Sequence, residues 1–286
     1  MNNLNIKDLL FFQAVQAIDS GDINVLETLV NSNPYLIKNR LVTNEEGYFI
    51  DPYLLWFVAD NPIRVEKLAA NIVEITQLLI AAVKREAPDT CQMQLDYTLG
   101  LVATGRIPRE CGAQIAMMDA LIDAGAKPGG GMGAFAHGNI EAAQHLINRG
   151  GKLTLPAAVC LERMDDIVRM APGASSAERL AALTAAAFFG KVDMIKLLLD
   201  MGADPNGYPE KNSGFHHHAT PLHQAVYSGN LEAVKLLVEA GAKLDMPDKI
   251  YDGTPLGWAI HMQTDANNEH AINNYKQIEA YLKQQI

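Results

Sequence analysis

Half of the chain's eight histidines fall within eight residues, at His216, His217, His218 and His223. In extended backbone His216 and His218 share a face, and His223 follows closely. Three imidazoles within reach of one another match the ligand type that Zn²⁺ takes. No Cys or acidic partner stands at metal-ligand spacing from them except distant Asp204 and Asp252, and no Cys-x-x-Cys pair exists. The competing reading is that His223 bonds inside the fold and the histidine tract decorates a loop; on that reading no metal is bound. A second set of candidates is cationic: Arg64, Arg106 and Arg109. Arginine forks brought side by side clamp a carboxylate or a phosphate. The alternative for them is pairing with Glu66 and Glu110 as ordinary surface ion pairs. Gly129-Gly130-Gly131-Met132-Gly133 looks like a phosphate loop, but no Gly-Lys-Ser/Thr follows and no strand precedes it. Gly-x-Ser-x-Gly, His-Glu-x-x-His and paired-carboxylate motifs are absent, so no catalytic residue is assigned and no cofactor is expected.

The elements that must position these side chains are short and repetitive. In the segment 219–245, Thr220 suits a helix N-cap and Pro221 the first helical turn, where no backbone N–H is needed. Leu222, Ala225 and Val226 follow helical spacing. Gly229 marks a tight turn, Val234, Leu236, Leu237 and Val238 make an apolar face, and Gly241 ends the second helix. Degraded copies lie around 181–206, 132–153, 97–127 and 14–30, and Thr254-Pro255-Leu256 opens a last one. The copy at 155–170 is the least regular. Thr220-Pro221-Leu222-His223 with Ala225 and Gly229-Asn230-Leu231-Glu232 resembles the ankyrin repeat. Segments such as Pro52–Ala59, 106–111 and 253–259 resemble those of a group of bacterial ankyrin-repeat proteins, a likeness that covers most of the chain and implies no chemistry.

The resemblance implies an all-α solenoid of about seven to eight helix-turn-helix units. A unit of about 33 residues cannot bury its own apolar face, so neighbours must stack into a continuous core. One domain over 1–286 is expected, with a capping unit to about 40 and irregular repeats over about 41–180. Well-formed repeats follow over about 181–250, and a C-terminal capping repeat over about 251–286.

A net charge of −10 without any Lys/Arg-rich run excludes the basic footprint of nucleic-acid binding or of docking on anionic membranes. Three widely spaced cysteines, Cys91, Cys111 and Cys160, suit a reducing compartment. No run approaches the roughly 18 apolar residues of a membrane span, and Asp8 interrupts the first apolar stretch, against a signal peptide. A cytoplasmic monomer is expected.

In such a scaffold individuality lies where the repeat is altered. The turns at 61–70, 106–111 and 262–271 are lengthened, the units over 129–178 have nearly lost their connecting fingers, and the finger 207–218 is long. The aromatic run 48–57 reads as core closing the first end, with a ligand-accepting wall as its alternative. The expected function is binding of a partner protein through the finger and inner helices. Tyr208, Phe215, His216, His218, Gln224, Tyr227, Tyr251 and Trp258 are the expected contacts. Trp258 is expected on the exposed side of the inner helices, or else packed under 262–271. Small-ligand or metal binding by the arginine turns or the histidine finger is the alternative.

Overall fold

The computed structural model describes residues 6–43, 47–211 and 213–286. Asn212, within the long finger, lies outside the described residues, as do the first five residues. Among the described residues all regular structure is helical. The chain divides into two compact units, Met1–Lys152 and Leu153–Ile286.

Each unit is built from four helix pairs. In the first, Leu9–Ser20 pairs with Ile23–Ser32, and a 3-10 turn Leu54–Ala59 pairs with Ile72–Glu86. Pro88–Thr104 pairs with Gln114–Asp123, and Met132–Ala136 with Ile140–Asn148. In the second unit the pairs are Leu155–Cys160 with Met164–Met170, and Ser176–Phe188 with Val192–Asp200. Pro221–Tyr227 then pairs with Leu231–Glu239, and Pro255–Asp265 with Glu269–Gln285. First helices pack on first helices down each stack, and second helices pack on second helices in the first unit and from Val192–Asp200 onward in the second.

Small residues make the close approach possible. Ala157, Ala158, Ala185, Ala186, Ala225 and Ala259 are all fully buried where the first helices of the second unit meet. Leu183, Leu198, Leu222 and Leu237 fill the space between pairs with no exposed surface, each burial contributing about 1.5–3 kcal/mol. The turns are tied by an asparagine ladder. Asn230 Nδ2 donates to the Gly190 carbonyl at 3.0 Å and Asn139 Nδ2 to that of Ala103 at 3.0 Å. Asn71 does the same to Gly21 at 2.9 Å. Gly190 sits at φ +60° in one of these turns, and a Cβ there would lie 3.0 Å from that of Asn230. The irregular copy has Glu162 at the equivalent position, at φ +55° and paired with Lys191.

The altered segments take different forms. The segment 106–111 is mostly a short helix, Arg106–Glu110, and 262–271 begins as a continuation of helix Pro255–Asp265. The short units keep only brief first helices, Met132–Ala136 and Leu155–Cys160. The aromatic run is core as expected: Phe49, Tyr53, Trp56 and Phe57 are buried, while Tyr48 stays exposed. Trp56 stacks on Tyr97 with centroids 4.0 Å apart, and the Arg40 guanidinium lies 4.8 Å from the Tyr53 ring.

Candidate partner-binding site

His223 is the first fixed point of the finger region. It is fully buried, three residues after Thr220, so its ring turns back onto the helix start. Its Nδ1 accepts from the Thr220 backbone N–H at 3.2 Å and from the Thr220 hydroxyl at 2.8 Å. Nε2 then carries the proton and donates to the Gly253 carbonyl, 2.9 Å away in the next finger. Burial lowers its pKa to about 4, against smaller opposing effects of the Gly253 bond and of Asp248. The ring is therefore a neutral strut between consecutive repeats.

Gln224 is the second. It is fully buried, donating to the His216 carbonyl at 3.0 Å while its Oε1 accepts from His216 Nδ1 at 3.1 Å. Two bonds from one amide thus set both the backbone and the ring of His216. Phe215, 4% exposed, turns inward to Phe188 and Phe189 at 4.8 and 5.8 Å between centroids. The sequence places Gln224 and Phe215 among the expected surface contacts; in the structure both face the interior and shape the finger from beneath.

The remaining rings form a half-buried layer. His216 lies edge-on to Tyr227 at 4.8 Å and to Trp258 at 5.7 Å, and Tyr227 stacks on Phe188 at 5.2 Å. His218 reaches Trp258 at 6.0 Å and Tyr251 at 6.1 Å. Trp258 is half-buried against His216, His218 and His223, not beneath the 262–271 segment. Burial pushes the His216 and His218 pKa values down, partly offset by the Gln224 bond and by Asp248 respectively. Both rings are neutral near pH 7.

Sequence reasoning missed Asp248. Buried at 2% exposure, it accepts from the Tyr251, Ile250 and Gly253 N–H groups at 2.7, 2.9 and 3.0 Å. The Trp258 indole N–H makes a fourth bond at 2.9 Å. Burial alone would raise its pKa, but the donors led by Tyr251 N–H and the indole reverse that and hold it at about 2. An Asp with glycine five residues on is a turn signal, but the distant indole partner has no local mark. Lys249 joins the two fingers: its N–H donates to the His218 carbonyl at 2.8 Å and its ammonium sits 3.9 Å from the Tyr208 ring centre. Tyr208 itself donates to the Pro247 carbonyl at 2.6 Å. Above this layer Tyr251 is 77% exposed and Tyr227 37%.

Chemically the arrangement offers stacking faces and hydrogen-bonding edges held in place from below. Among the described residues no group of three or more His, Cys, Asp or Glu is placed to hold a metal ion. The arginine clamp is not assembled either. Arg64, with 9% of its side chain exposed, bonds Asp19 at 2.7 Å and lies 3.7 Å from Asp60, over the Phe57 ring. Arg106 pairs with Glu110 at 2.8 Å, while Arg109 bonds Asn139 in the next turn. Each guanidinium is committed to a different protein partner, and Arg64 to neither glutamate. Its partner Asp19 lies 45 residues away in sequence, beyond what turn composition reveals.

Among the described residues no helix is long and apolar enough to cross a membrane. The family model for ankyrin repeats (3 copies) matches the chain twice, over residues 132–248 and 183–268. The chain is 28% identical over 143 residues to the mouse (Mus musculus) inactive serine/threonine-protein kinase TEX14. That alignment covers 48% of this chain and 9% of the relative's length. Similar solved structures are the ankyrin repeat domain of Bcl-3, a member of the IkappaB protein family, and that of human ASB11. Bcl-3 is 20% identical, with 93% of this chain and 97% of that one covered. ASB11 is 17% identical, with 96% and 98% covered. Both superpose with a TM-score of 0.32, which does not bear on how the repeats are arranged. Matched by that family model over residues 132–268, and carrying the Thr-Pro-Leu-His helix start with its buried histidine strut, this part of the chain is built of ankyrin repeats.

Proposed function

We propose that this chain is a cytoplasmic bacterial interaction module that binds a partner protein, as a monomer, through the surface above the two linked fingers. Ankyrin repeats in general serve protein–protein binding. The observation that carries the reading is Tyr251, a large ring 77% exposed on a turn whose backbone is pinned by Asp248. Exposed aromatics on an immobilised base lose little entropy on binding, which is what makes Tyr and Trp effective anchors. Tyr227 and the edges of His216, His218 and Tyr208 surround it as the contact set, and Trp258 supports them through Asp248 while presenting its half-exposed face.

The cleanest test spares the supporting network. Captures from the native lysate with the wild type and with Tyr251→Ala are compared by quantitative mass spectrometry. A protein enriched by the wild type and depleted with the variant supports the reading. The same proteins at the same levels with both would refute it. Trp258→Ala is the poorer variant, because it also removes a donor from Asp248.

A further inference from the structure

A separate surface lies on the first unit. Helices Leu9–Ser20 and Ile23–Ser32, with the loop after the 3-10 turn Leu54–Ala59, line an open groove of about 1250 Å³. Small-molecule sites usually measure about 300–1,000 Å³ and bury most of their ligand. A larger, open groove suits a segment of chain instead, as in helix-in-groove recognition. Its apolar lining is left in water: Phe12 is 39% exposed, Val25 45% and Val65 46%.

The charge beside that lining is negative. Among the described residues Arg64 is the only cation in the wall, and its guanidinium is spent on Asp19 and Asp60 beside the Phe57 ring. Two carboxylates answer one arginine there. Asp22 adds another at the groove edge. Asp22 Oδ1 caps the second helix by accepting from Val25 N–H at 3.1 Å, and Asp19 Oδ1 takes the Arg64 bond. The second oxygen of each has no protein donor among the described residues.

We propose that this groove receives a basic amphipathic segment of a partner protein, its aliphatic side chains on Phe12, Val25 and Val65 and its lysines or arginines beside Asp19 and Asp22. An acidic segment would meet unbalanced carboxylates, so charge alone selects the sign. The site is distinct from the finger surface and stands or falls without it.

The probe is a fluorescein-labelled 14-residue peptide of leucine and lysine at helical spacing, titrated with the full chain and followed by anisotropy. Its counterpart carries glutamate at every lysine. The lysine peptide should bind saturably, and the glutamate peptide roughly tenfold or more weakly. Asp22→Asn, which keeps a good N-cap, should weaken lysine-peptide binding about two- to fivefold. Val25→Arg should weaken it roughly tenfold or more. Asp200→Asn makes the same charge change on the second unit and should leave binding unaltered. Circular dichroism and melting of each variant establish that it is folded. Equal binding of both peptides, an equal effect of Asp200→Asn, or no effect of Val25→Arg in the folded protein would overturn the proposal. So would self-association of the chain that Val25→Arg abolishes, which would make a second copy the occupant.

Discussion

Acid should weaken the second unit through one residue. His223 has an ordinary pKa of 6.5 and is held near 4 in the fold. Between those values the unfolded chain binds more protons than the native one, so stability rises with pH across that window. The contribution is complete above about pH 7 and lost as pH falls through 6.5 towards 4. From the two pKa values, lowering pH from about 8 to about 5 removes about 2 kcal/mol, out of about 3 kcal/mol at full protonation. His216 and His218 shift in the same direction, so the total loss in the wild type includes them, and a variant isolates the His223 share. His223→Gln leaves part of the Thr220–Gly253 connection unmade and should cost about 1–3 kcal/mol at pH 8. It also has nothing to titrate, so the gap between variant and wild type should narrow by about 2 kcal/mol at pH 5. Equilibrium urea unfolding at both pH values measures this. Trp258 fluorescence reports locally, 5.0 Å from the imidazole, once Trp56 is replaced by Phe. A gap of the same size at pH 5 and pH 8 would refute the assignment of His223 as a buried neutral strut.

Other perturbations follow from the same network. Asp248→Ala strips acceptors from three backbone N–H groups and the Trp258 indole, and should cost about 2–4 kcal/mol in urea unfolding. Amide exchange at Ile250, Tyr251 and Gly253 should accelerate with it, and unchanged exchange would show that the turn does not depend on the carboxylate. Gly190→Ala forces a Cβ into a left-handed turn and against Asn230, and should cost about 1–2 kcal/mol by the same unfolding measurement. A neutral result there would place the Asn230–Gly190 ladder bond outside the stabilising contacts.

The sequence carried the paired-helix architecture because its marks are local. A proline after a helix-capping threonine, a small residue one turn on and a glycine at the turn each act within a few residues of themselves. The irregular copy at 155–170 was harder to read for a physical reason. Glu162 adopts the left-handed turn that glycine marks elsewhere, so the backbone kept the repeat while the sequence dropped its punctuation. The site was only partly legible. Tyr208, Tyr227, Tyr251, His216 and His218 lie in or beside the two linked fingers. Phe215 and Gln224 turn inward because the finger folds back over the first helix, a non-local event. Arg64 illustrates the same gap: the lengthened turn announced it, but only the stacking of the second pair on the first delivers Asp19 to its guanidinium.

The central functional claim is that Tyr251 and Tyr227 anchor a protein partner. Calorimetric titration of a captured partner against the wild type, Tyr251→Ala and Tyr227→Ala tests it most directly. A loss of about 1 kcal/mol or more for each substitution, roughly fivefold or greater in Kd, is the expected result for anchor residues. Unchanged affinity in both variants, with the fold intact by circular dichroism, would contradict it and move the binding surface elsewhere on the repeats.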